Sequence, residues 1–114
     1  PADDVPAAPK RDLPEWNAMV APYRDGGVFV AHFAGQSEWE RHQNGDEIVA
    51  IVEGSATVTV IVDGDEVTHD MRNGQMIVVP QGAWHCFRTD GAKVMTVTPR
   101  PTDHQLEHPL GSSD

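Results

Sequence analysis

From position 28 onward no stretch has the three-to-four-residue apolar spacing of a helix. Short β-rich runs alternate instead with turns carrying Gly or Asp. The runs cover 28–34, 39–42, 47–52, 56–62, 66–71, 75–79, 84–89 and 94–98. Short strands punctuated in this way predict an all-β sandwich or barrel of antiparallel strands. Between the fourth and fifth runs, Asp63-Gly64 is a two-residue hairpin signal, because both central residues of a type I′ turn need a positive φ. Pro80 stands at the end of a run, where its missing N–H costs least.

The flanks read differently. Residues 1–14 hold four prolines and little that could pack, while 15–27 carry Trp16, Met19, Val20 and Tyr23 as an anchor. We therefore divide the chain into an extended N-terminal arm (1–27), a barrel (28–99) and a loose C-terminal tail (100–114) with only Leu106 and Leu110 as large apolar residues. At 114 residues this is one domain. Eighteen acidic against eight basic residues leave a formal charge of −10, which argues against nucleic acid or an anionic membrane as partner. The single Cys86 excludes an intramolecular disulfide. With no signal-type apolar segment at the start and no transmembrane run, a cytoplasmic location is expected. An exposed edge strand and the N-terminal arm favour a homodimer.

Side chains alternate faces along a strand, so Glu40 and His42 share one face and Trp39 and Arg41 the other. Glu47, Val49 and Ile51 share a face, as do His85 and Phe87. The segment Gln43-Asn44-Gly45-Asp46 is a turn by composition, and a hairpin there would fold Glu47 back beside Glu40 and His42. Taken singly, a strand His or Glu is most often a surface residue or a satisfied core one. Taken together, four such residues on inward faces among apolar neighbours need partners or a metal to offset their desolvation. The remaining candidates read as structural or solvated. Cys86 points away from the pocket, His32 faces opposite Phe29 and Phe33, and His69 has no partner. His104 and His108, beside acidic residues in the tail, read as solvated, and Trp39 and Trp84 face away by alternation. No Ser sits at a nucleophile elbow.

The block His42-x4-Glu47-x6-Gly54 resembles the first cupin motif, and Gly74-x5-Pro80-x-Gly82-x2-His85 resembles the second. The resemblance spans about residues 28–98 and implies a cupin-type double-stranded β-helix, a jelly-roll barrel of antiparallel strands, and again a homodimer. There are three departures. Gly35 stands one place after the usual opening glycine, Glu40 replaces the first histidine, and Thr89 replaces a terminal Asn. The resemblance implies that His42, Glu47 and His85 are metal ligands, with Glu40 as an oxygen ligand in place of the missing imidazole. That donor set suits non-haem Fe(II), with Mn, Zn or Ni also possible; two carboxylates would neutralise a divalent ion and lower its Lewis acidity. The other reading has no metal. Glu40 and Glu47 then share a proton in a low-dielectric pocket flanked by His42 and His85, a site for acid/base isomerisation.

Two classes of function stay open, because one fold hosts many chemistries. One is a small metal-dependent enzyme acting on a small organic substrate by dioxygenation, lyase chemistry or isomerisation, with Glu40 or Glu47 moving a proton. The other is a non-catalytic binding or sensing module. An apolar lining from Val49, Ile51, Phe87 and Val78 is expected, suited to a compact apolar or aromatic molecule.

Overall fold

A computed structural model that describes residues 15–111 has eight strands, and the eight β-rich runs fall in six of them. The strands are β1 (Glu15–Tyr23), β2 (Gly26–Gln36), β3 (Trp39–His42), β4 (Glu47–Val62), β5 (Asp65–Arg72), β6 (Met76–Val79), β7 (His85–Pro99) and β8 (Thr102–Gln105). All pairings are antiparallel and join the strands into one sheet curled on itself. No helix occurs among the described residues, so none of them forms a helix able to cross a membrane.

Two pairs of expected strands are fused. Runs 47–52 and 56–62 make the single strand β4, and runs 84–89 and 94–98 make β7. The fusion is hidden in the sequence because the inward phase changes mid-strand. Val49 and Ile51 are buried at odd positions, whereas Ala56, Val58 and Val60 are buried at even ones. The β4–β7 ladder slips at Ile51/Glu53 and again at Ser55/Thr57, and this irregularity keeps both halves facing inward. The first half of β4 pairs with the second half of β7, and the second half with the first. One arm of the sheet therefore runs β1-β2-β7-β4-β6, and the other runs β8-β3-β7-β4-β5.

The bend has a steric cause. Gly54 has φ +88°, and a Cβ there would lie 2.4 Å from the carbonyl oxygen of Gly91 on the facing strand. Thr89 stitches the same corner, donating through Oγ1 to the Ser55 carbonyl at 2.5 Å and accepting from the Gly91 amide at 3.0 Å. Thr89 thus takes up the hydrogen bonds of the corner. At the far end of β4 the expected hairpin is present. Asp63 and Gly64 have φ of 51° and 83°, and Val62 pairs with Asp65. Between the two halves lies the apolar core, with Val49, Ile51, Val58, Val79, Phe87 and Val94 at its centre. Each such side chain contributes roughly 1.5–3 kcal/mol on leaving water.

Further sequence expectations are corrected. Residues 43–46 do turn, but β3 and β4 form no hairpin; β3 pairs with β7 and β8 instead. The tail is not loose throughout, because Thr102–Gln105 forms β8, in register with β3 from Trp39↔Gln105 to His42↔Thr102. Val78 faces outward at 58% exposure and lines nothing. The segment from Glu15 is a strand, β1, paired among the described residues with β2 and shifted in register between Met19 and Ala21. Met19, Val20 and Tyr23 are exposed on it, so the expected anchor on the core is corrected too. Residues 1–14, expected to be extended, lie outside the described residues.

Replacing Gly54 by Ala should destabilise the protein by about 2 kcal/mol or more, since it adds a backbone clash to an unfavourable φ. Urea unfolding of the two proteins measures this; equal midpoints would refute the steric origin of the bend.

Candidate metal centre

His85 opens β7 and lies opposite Glu40 of β3, while His42 closes β3 and Glu47 opens β4. The four side chains meet at strand ends, where the two arms of the sheet face each other. One donor atom from each lies within 4.8 Å of every other. His85 Nε2 is 3.0 Å from Glu47 Oε1 and 3.5 Å from Glu40 Oε1, and His42 Nε2 is 3.1 Å from Glu47 Oε2. His42, Glu47 and His85 are 3%, 2% and 0% exposed, and Glu40 is partly exposed to the cavity.

Each buried member is held from behind. The Ala83 carbonyl lies 3.0 Å from His85 Nδ1. A carbonyl can only accept, so the hydrogen sits on Nδ1 and leaves Nε2 of the neutral ring with a bare lone pair. His42 Nδ1 is 2.9 Å from Thr102 Oγ1. Glu47 Oε2 accepts from Thr98 Oγ1 at 2.6 Å, and Thr98 is joined in turn to Thr96. In contrast, His42 Nε2, Glu47 Oε1 and His85 Nε2 are buried and lack any well-oriented hydrogen bond despite their short separations. Three inward donors converge on one point while their outer atoms are anchored. That is the arrangement of ligands around a cation, with outer partners fixing ring orientation. The residues therefore fit a divalent transition metal bound through nitrogen and carboxylate oxygen.

Electrostatics agree with the geometry. Burial alone would raise the Glu47 carboxyl, but the adjacent imidazoles of His42 and His85 hold it down at about 2. Burial would lower His85, yet Glu40, Glu47 and the Ala83 carbonyl raise it to about 10. Without a metal, a proton on His85 takes the place of the cation between the two carboxylates.

Glu40, His42 and Glu47 line the floor of a cavity of about 730 Å³, and His85 is fully buried beside them. Its apolar wall comes from Phe29, Phe33, Phe87 and Val94. Of the lining expected from the sequence, Phe87 is present, while Val49 and Ile51 are packed in the core.

Several contributors went unread in the sequence. Thr98, Thr102 and the Ala83 carbonyl orient the donors. His104, expected to be solvated, sits over Glu40 in the β3–β8 ladder, 3.4 Å from Glu38 and 3.8 Å from Glu40. His108 is likewise not free, packing edge-on against Trp39 and pairing with Glu66. The Asp103–His104 register was readable only once β8 was known to pair with β3. Cys86 is buried, as expected, and burial raises its thiol to about 11.

A cupin domain model matches residues 28–99. The acireductone dioxygenase of Rhodopseudomonas palustris (strain ATCC BAA-98 / CGA009) is 44% identical over 89 residues, covering 77% of this chain and 49% of that protein. The protein of the same name from strain TIE-1 is 37% identical over the same length, with the same coverage. The chain thus spans about half the length of these relatives. Among solved structures, a cupin superfamily protein from Desulfitobacterium hafniense DCB-2 superposes with a TM-score of 0.71 at 19% identity, over 88% of this chain and 87% of that one; this likeness concerns the fold.

Two outcomes are expected. Metal-free protein should melt highest between pH 4.5 and 6.5. The depressed Glu47 gives stability that is lost as pH falls from 4.5 toward 2, and the raised His85 gives stability that is lost as pH rises from 6.5 through about 10. Thermal melts across pH check this, and a flat profile would count against the ion pair. Thr102→Val should weaken metal binding by roughly tenfold while Thr102→Ser retains it, as read by chelator competition.

Proposed function

Because the chain belongs to the cupin family, we propose that Glu40, His42, Glu47 and His85 hold a divalent transition metal (Fe, Mn, Zn or Ni) and that the protein is an enzyme acting on a small organic molecule. The carrying observation is the convergence of three buried donor atoms without well-oriented hydrogen-bond partners at the floor of the cavity. The reaction belongs to the dioxygenase, lyase or isomerase classes. Similarity over half of two acireductone dioxygenases supports oxygen chemistry on a small substrate. A bound divalent ion would supply Lewis acidity and a coordination point for a substrate oxygen.

The protein's own groups divide the remaining work. Glu47, fully enclosed and tied to Thr98, is an anchor. Glu40 reaches both ways, with Oε1 turned toward His85 and Oε2 toward His104 at the rim. It can accept a substrate proton at Oε2 while Oε1 stays with the cluster, and His104 can carry that proton toward water. Phe29, Phe33 and Phe87 press the apolar part of the substrate against the floor and displace water from it.

A second reading rests on one observation: His85 Nε2 lies within 3.5 Å of both carboxylates, so a proton there satisfies the cluster without metal. Glu40 is then the acid/base group of a metal-independent isomerase.

Elemental analysis of the isolated protein separates the two. The wild type is expected to carry metal, and His85→Ala to lose it, with an affinity loss beyond the roughly 10- to 100-fold typical of an outer partner. Equal metal content in both proteins would sink the metal reading. Tight binding without turnover across small carbonyl and phenolic compounds would point to a binding module.

A further inference from the structure

We propose that the cavity selects by charge: it takes a molecule with an apolar body and a neutral or cationic head, and it rejects carboxylates and phosphates. The inference deepens the preceding reading of the cavity as a substrate site, and its test requires no turnover.

Two observations carry it. The first is the lining. Glu38, Glu40 and Glu47 face the cavity, and among the described residues that line it none is Lys or Arg. Nearby cations are engaged elsewhere. Arg41 shares its strand with Glu40, but its guanidinium binds Asp103 at 2.9 Å and lies over the Trp84 ring. Lys93 is directed to Glu53. The one basic group at the rim, His104, stands between Glu38 and Glu40, so a single imidazole serves two carboxylates.

The second observation is the set of buried, unpartnered donors at the floor, which mark the place where a ligand or its coordinating ion ends. The two charges of a divalent ion there fall short of the three carboxylates that line the cavity. No positive charge remains to hold an anion. With a histidine at position 40 the ion would balance the remaining two carboxylates; Glu40 tips the lining to negative. The apolar wall of Phe29, Phe33, Phe87 and Val94 then makes the favourable contact, and Glu38 accepts a hydrogen bond from the head group.

Benzyl alcohol, benzylamine and benzoate share one ring and differ in the charge of the head. Binding of each to the zinc-loaded wild-type chain is measured by NMR titration, with zinc content confirmed by elemental analysis. Benzyl alcohol and benzylamine are expected to shift signals of cavity residues, and benzoate to bind at least about tenfold more weakly, as like charges within a few ångströms in a partly wetted cavity require. Glu38→Gln should narrow the gap with zinc content unchanged, since Glu38 lies outside the donor cluster. Benzoate binding as tightly as the alcohol, or no shift with any of the three, overturns the proposal. If the protein holds no zinc, the metal reading falls separately. The gap between alcohol and benzoate must then widen, and its absence overturns the charge inference too.

Discussion

Everything around the cavity depends on keeping one carboxylate, Glu47, charged and out of water. Burying an ionised carboxylate costs several kcal/mol unless its lone pairs are met. Thr98 meets one from the side, and the two imidazoles approach from β3 and β7. Each of those imidazoles is itself held by an outer contact, from Thr102 or the Ala83 carbonyl. The site is therefore a small network in which removing any outer partner loosens an inner one. Glu40 stands apart because it alone of the four reaches solvent, which suits it to exchange protons while the others stay fixed.

The barrel exists to bring these atoms together from distant parts of the chain. β4 and β7 do most of this, since each passes through both arms of the sheet and changes arm at a corner. Gly54 allows the backbones to approach there, and Thr89 ties the corner together. If the corner filled, the two halves would splay and the donor atoms at the strand ends would separate.

Much of this was legible from residue pattern. The eight runs, the Asp63-Gly64 hairpin and the inward faces of His42, Glu47, His85 and Phe87 follow from period-two alternation and turn chemistry, which are local properties. What escaped depends on distance along the chain. The fused strands were hidden because a bulge reverses the alternation. The β3–β4 hairpin was wrongly expected because turn composition says where a chain turns, not what it pairs with afterwards. β8 was missed because a four-residue strand of Thr, Asp, His and Gln has no apolar face to announce it. Its stability comes from the ladder with β3 and from Asp103, which accepts from Arg41 and Gln43. Thr102 and His104 went unread with it.

The β4–β7 seam has a kinetic consequence. Its ladder joins Ile48 to Val97 and Val60 to His85, so most of its contacts close long stretches of chain. Loop-closure entropy must be met before such contacts give anything back, which places a chain of this topology among slow folders. The donor set is scattered over the same stretch and assembles only when the seam is shut. A metal that recognises the finished cluster would find few of its ligands together earlier. It would act late, as a latch that slows reopening more than it speeds closure.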